Sequence, residues 1–284
     1  MVDGFMQGLH RSNQHGVSVE FAQHRPYVAG DDVRFVDWKV YGRTDKLHLK
    51  QFERETNLDL IVMVDGSGSM AYKSELSPWS KYDAAGTIAA AMCGLALNQR
   101  DRAAVWVFDD LVQGQSRLSN AAGHLSDVST VLKTYAPAID KPDQPATDLG
   151  RVFERVHARL SHRTILVWVS DFFDDPEAIE AGLSRLRGRR HDVLLVQVMD
   201  PAEKRFEFRS PTLFVDIETG QKLPADPAAL KQSYLEALAE HQKQIGEATR
   251  RLGFDHLLIE THQPVGPALS HLMAKRAAAI RRAG

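Results

Sequence analysis

One cysteine, Cys93, is all this 284-residue chain has, so no internal disulfide holds it together and no paired-cysteine metal site is available. Cys93 sits among small apolar residues in Ala89-Ala90-Ala91-Met92-Cys93, the setting of a buried, inert thiol. Long apolar runs are also missing. Nothing reaches the roughly 18–20 residues of a spanning helix, and Met1–Gln23 has no apolar core of a secretory leader, so a soluble, cytoplasmic protein is expected. Neither sign of charge dominates: 35 Lys and Arg face 37 Asp and Glu, which excludes a global pull toward nucleic acid or anionic lipid. The histidines form no H-E-x-x-H pattern. His10 and His15, like His157 and His162, are five residues apart, a spacing that suits neither side of a helix. No phosphate-binding Gly-x-x-x-x-Gly-Lys-Ser/Thr loop and no Gly-x-Ser-x-Gly nucleophile turn occurs.

What is present points to a globular α/β protein. Up to Asn57 the chain is polar and broken by turns, with short β candidates at Val17–Phe21, Val33–Tyr41 and Leu47–Phe52; residues 1–57 are too few to close a core of their own. From Leu58 the pattern changes. Leu58–Val64 is almost wholly apolar and β-branched, as a strand covered on both faces of a parallel sheet must be. Ala103–Phe108, Thr164–Val169, Val193–Met199 and His256–Ile259 repeat the pattern. Between them lie helical stripes, Tyr82 to Ala96 and Val152 to Leu160 among them, with further helices at Ala178–Leu186, Leu230–Leu252 and Pro267–Ile280. Strand alternating with helix predicts right-handed crossovers and a doubly wound, mainly parallel sheet over residues 58–284. The rhythm breaks at about residues 201–227, where Leu213–Ile217 and a Thr219-Gly220 turn predict an inserted hairpin.

In such folds ligands gather at the carboxyl ends of the strands. The first strand ends in Val64-Asp65-Gly66-Ser67-Gly68-Ser69. This places one carboxylate and two hydroxyls at alternate positions on a glycine-loosened turn, a set of hard oxygen donors suited to Mg²⁺. Taken alone, Asp-x-Ser-x-Ser is also what a solvated turn before a helix looks like. Two other strand ends add to it. Ser170-Asp171 follows the strand Thr164–Val169, and Thr147-Asp148 precedes the helix Leu149–Leu160, so three loops brought together only by the fold each offer an oxygen.

Asp65-x-Ser67-x-Ser69, followed by Thr147 and Asp171, resembles the metal-ion-dependent adhesion site of von Willebrand factor A domains. The resemblance implies that Ser67, Ser69 and Thr147 touch a divalent metal, Mg²⁺ or another such as Mn²⁺ or Ca²⁺. Asp65 and Asp171 would hold its waters, and a partner's Asp or Glu would take the open position. Asp148 is the alternative to Thr147 in the second loop. A phosphohydrolase that begins from an Asp after the first strand needs an acid–base Asp two residues on. Ser67 stands there, so the expectation is a non-enzymatic protein; a metal-dependent phosphohydrolase and an A-type domain with a purely structural metal are the alternatives.

Ahead of the first strand, the pattern Arg25-x-Tyr27-x-x-Gly30-Asp31-x-x-Arg34-x-x-Asp37-Trp38 resembles the bacterial and archaeal family catalogued as domain of unknown function 58. Asp200-Pro201-Ala202-Glu203 and Asp216-Ile217-Glu218-Thr219-Gly220 resemble it too. That resemblance implies an adaptor or chaperone-like role beside a MoxR-type AAA+ ATPase and a client protein.

Overall fold

The computed structural model describes residues 19–28, 31–54, 59–137, 149–189, 191–208, 212–215 and 221–270. The described residues fall into two compact units, 19–54 and 59–270.

In the smaller unit, β1 (Val19–Pro26), α1 (Trp38–Thr44) and β2 (His48–Arg54) follow one another, and β1 and β2 pair antiparallel with Arg25 opposite Leu49. The expected strand Val33–Tyr41 is not one. Asp32 accepts from the Arg34 N–H at the start of a 3₁₀ turn over Val33–Phe35, and Asp37 accepts from the Lys39 and Val40 N–H groups at the start of α1. Two side-chain caps thus override an alternating apolar pattern too short to hold a strand by itself. The arginines of the signature are paired locally: Arg25 grips Asp31 with two bonds of 2.7 Å, and Arg34 holds Asp32.

In the larger unit, β3 (Asp59–Asp65) leads to α2 (Lys81–Asn98), β4 (Arg102–Phe108), β5 (Val112–Gln115), α3 (His124–Thr134) and α4 (Leu149–Arg159). Next come β6 (Ile165–Ser170), α5 (Pro176–Gly188), β7 (Asp192–Met199), α6 (Pro201–Arg205), β8 (Thr212–Val215), β9 (Lys222–Ala225), α7 (Pro227–Arg251) and β10 (Asp255–Glu260). The sheet order is β10-β7-β6-β3-β4-β5. All neighbours are parallel except β5, which pairs antiparallel with β4. This is the doubly wound von Willebrand A-type, Rossmann-like architecture expected, with the inserted hairpin formed by β8 and β9. Among the described residues, no helix is long and apolar enough to cross a membrane.

Every residue of β3 is buried, and its side chains alternate between two cores. Leu60, Val62 and Val64 pack with Ile88, Ala89 and Met92 of α2 on one face. Ile61 and Met63 pack with Phe153 of α4, Leu183 of α5 and Ile245 of α7 on the other. Each such side chain contributes about 1.5–3 kcal/mol when buried, against a net domain stability of about 5–15 kcal/mol, so β3 is fixed firmly in the middle of the sheet. Helix starts are set by side-chain caps. Ser80 and Asp83 form a capping box at α2, and Asp175, Asp200 and Asp226 each precede a proline that opens α5, α6 and α7.

From β3 the chain moves outward through β4 and β5, then returns to the other side of β3 for β6, β7 and β10. The reversal falls between β3 and β6, whose loops diverge and open a crevice at their carboxyl ends.

Candidate metal centre at the β3 and β6 ends

Val64 is level with Val169 in the parallel register, which brings Asp65 beside Ser170. The Ser170 hydroxyl donates to Asp65 Oδ2 at 2.6 Å, and the Ser67 N–H donates to Asp65 Oδ1 at 2.9 Å. The turn needs Gly66. Its N–H donates to the Phe108 carbonyl, and a Cβ there would stand 2.9 Å from Val107 Cγ1. After it, Ser67 opens a 3₁₀ turn over Gly68–Ala71 without using its hydroxyl as a cap. That hydroxyl lies 3.1 Å from the Ser69 hydroxyl, which donates to Asp171 Oδ2 at 2.8 Å.

Four of the expected site residues, Asp65, Ser67, Ser69 and Asp171, are therefore one connected cluster built from two adjacent strand ends. Thr147 and Asp148 lie outside the described residues. Behind the cluster, Phe172 adopts a left-handed backbone (φ 54°), rare for a bulky side chain. The Ser170 hydroxyl accepts from its N–H, and His241 Nε2 donates to its carbonyl. Gln197 Nε2 donates to the Asp171 carbonyl at 2.9 Å.

Sequence reasoning missed the ion at the heart of the site. Lys81, 1% exposed, donates to Asp171 Oδ2 at 2.8 Å and to Glu203 Oε1 at 2.6 Å. Its ammonium also lies 5.4 Å from the Phe173 ring centre and 5.8 Å from that of Tyr72. One signal was there to find: Lys81 is the first residue of α2, where the helix dipole disfavours a cation, so another partner had to hold it. Glu203 in turn accepts from the Asp200 N–H, and Asp200 Oδ2 accepts from the Ser74 N–H. The Asp200-Pro-Ala-Glu203 box thus ties the insert to the loop after β3.

Charge in the cluster is unevenly spread. Burial, reinforced by the nearby Asp171, pushes the Asp65 carboxyl up to about 7. Burial works against ionised Asp171 too, but the attraction of Lys81 and the hydrogen bonds from Lys81, Ser69 and the Phe173 N–H together outweigh it and hold Asp171 below the ordinary carboxylate value. Burial disfavours the Lys81 ammonium, yet Asp171 and Glu203 together raise it above the usual lysine value. Lys81 is thus a fixed cation, unsuited to accept a proton from Ser69 as a general base must.

The donors fit a hard divalent cation in kind: two hydroxyls with carboxylates behind them, all oxygen. They open onto a cavity of about 540 Å³ that Leu149 and Asp174 also line. The Leu149 N–H at the start of α4 donates to Asp174 Oδ2 at 2.8 Å, which holds that helix start at the cavity wall.

The chain is similar to known proteins in sequence and in backbone. The profile of the family described as "Protein of unknown function DUF58" matches residues 23–244. The uncharacterized protein Rv1480 of Mycobacterium tuberculosis is 26% identical over 262 residues, covering 92% of this chain and 80% of that protein. Among solved structures, an aerotolerance-related membrane protein from Bacteroides fragilis superposes with a TM-score of 0.50 at 11% identity, covering 77% of this chain and 99% of that one. The SpRpn10 VWA domain superposes with a TM-score of 0.40 at 10% identity, over 78% of this chain and 95% of that one.

Proposed function

This chain belongs to the DUF58 family, and on that premise we propose that it is a non-enzymatic interaction protein whose Asp65–Ser67–Ser69–Asp171 cluster holds a divalent cation for partner capture. One observation carries the reading. Two hydroxyls 3.1 Å apart stand between two buried carboxylates at the wall of an open cavity, where a purely structural turn would have used them as caps. Ser67 and Ser69 would hold the cation directly, with Thr147 as a third hydroxyl. Asp65, pinned through both oxygens, and Asp171 would orient its waters. When bound, Mg²⁺ or a similar ion supplies an open coordination position for a partner's Asp or Glu. With neutral hydroxyls as direct ligands, the ion keeps enough positive charge to attract that carboxylate. Lys81 offsets part of the charge of Asp171 and Glu203, so the cluster is less acidic than its carboxylates alone would make it.

The family resemblance adds the partner class: a MoxR-type AAA+ ATPase, with a client protein that offers the acidic side chain. The test is binding of the purified chain to the AAA+ ATPase of the same organism, in Mg²⁺ and in chelator, for wild type and Asp65→Ala. Binding of the wild type in Mg²⁺ alone, lost in the variant, supports the proposal. Equal binding in all four conditions contradicts it, and turnover of a phosphoester in Mg²⁺ contradicts the non-enzymatic part.

A further inference from the structure

The cavity that begins at Ser67 and Ser69 does not end at the oxygen donors. Its far wall is aromatic. The Phe206 ring stacks on Tyr234 (4.5 Å between centres) and on Phe214 (5.7 Å), and Phe208 meets Phe206 and Phe214 edge-on at 5.1 and 5.3 Å. All four rings line the same cavity as Asp65, Ser67 and Ser69. None of them belongs to either of the two cores packed on the central sheet. Three come from the insert, Phe206 and Phe208 after α6 and Phe214 in the hairpin, and Tyr234 comes from α7; Glu203 of α6, through its bond to Lys81, ties the insert to the donors. A volume of about 540 Å³ is far more than a carboxylate fills, since one water occupies roughly 30 Å³ in the liquid.

We infer that this cavity reads a two-part element on one partner segment: an acidic side chain at the donor end, with a large apolar or aromatic side chain beside it against the rings of Phe206, Phe208, Phe214 and Tyr234. The inference rests on the metal reading above, because the donor end carries Asp65, Asp171, Asp174 and Glu203 against the single ammonium of Lys81 among the residues that line it. It adds a specificity subsite that the cation alone does not provide. The rings are partly preassembled by stacking on one another, so an entering side chain meets an ordered wall and loses little to reorganisation.

The test uses the full chain with Mn²⁺ or Mg²⁺ and short peptides as probes: acetyl-Gly-Asp-Phe-Gly-amide, its Phe-Asp reversal, and versions with Ala for Phe, Asn for Asp or Lys for Asp. Metal affinity is measured separately on the protein alone. The expected result is that, with metal, an Asp-Phe or Phe-Asp peptide binds about tenfold or more tighter than its Ala version, as burial of one aromatic side chain implies. Chelation or the Asn version should abolish the binding. Phe214→Ala should remove the tenfold gain and leave metal affinity unchanged, which also shows that the variant is folded. Metal binding with no preference for Phe over Ala, or with no peptide binding at all, overturns the subsite and leaves the metal reading standing. Failure to bind metal, with the Phe preference retained regardless of the acid, sinks the metal reading instead. Tighter binding of the Lys peptide to the chelated protein overturns the two-part element, since the acidic wall and rings would then be a site for a cation.

Discussion

Lys81 Nζ and Ser69 Oγ each lie 2.8 Å from the same oxygen of Asp171. One carboxylate oxygen from the end of β6 is therefore shared between a fixed ammonium from α2 and a hydroxyl from the loop after β3. This sharing joins three elements at one point and sets the charge of the site.

Removing the ammonium should be costly. Lys81→Met leaves Asp171 and Glu203 buried without their cation, and breaking such a pair typically costs about 3–5 kcal/mol. Urea unfolding in chelator should show a loss of that order. Added Mg²⁺ should restore part of it and should stabilise the variant more than it stabilises wild type. A loss below about 1 kcal/mol would mean that the Lys81 pairing contributes little.

The raised Asp65 carboxyl gives a pH signature. A carboxyl whose folded pKa is about 7, above its unfolded value near 3.9, favours the folded state when protonated. That contribution is complete below the unfolded value and is lost as pH rises through about 7. In chelator, Asp65→Asn should therefore gain on wild type as pH rises from 5 to 8, by on the order of 1–3 kcal/mol. The Ser170 hydroxyl has to turn to meet the new amide. Paired denaturation curves at the two pH values decide it, and a stability difference that does not change with pH would contradict the assignment.

Most of the fold was legible because β3, β4, β6 and β7 are buried on both faces, and such strands must be written in continuous apolar residues; β10, a half-buried edge strand, still shows as the run Leu257-Leu258-Ile259. β5 escaped because Val112-Gln113-Gly114-Gln115 is a four-residue edge strand with a glycine. α3 escaped because serines and threonines dilute the stripe of Leu125, Val128, Val131 and Leu132. The inert thiol was legible from its neighbours: Cys93 is fully buried, and burial pushes it up to about 12. In the site, Asp65, Ser67, Ser69 and Asp171 could be read because alternation and strand ends place them locally. The Lys81 bridge could not, since its partners lie 90 and 122 residues away in sequence and no local pattern encodes such a separation.

Gly66 is where the fold constrains the site most tightly. Gly66→Ala puts a methyl group 2.9 Å from Val107 Cγ1 and 3.3 Å from the Phe108 carbonyl oxygen, and Val107 is buried. Overpacking of this kind costs about 1–3 kcal/mol. Thermal melting should show the loss, and metal binding should weaken with it as the Asp65–Ser67 turn shifts. A variant that melts and binds metal like wild type would show that the turn has slack.

Direct titration of the purified chain with Mn²⁺, by calorimetry or by the electron paramagnetic resonance signal of free Mn²⁺, tests the cation site itself. Wild type and Ser67→Ala would be compared, with circular dichroism confirming that both are folded. Wild type should show one saturable site, competed by Mg²⁺ and lost or weakened at least tenfold in Ser67→Ala. Absence of saturable binding in wild type, or equal binding in a folded Ser67→Ala, would contradict the metal reading.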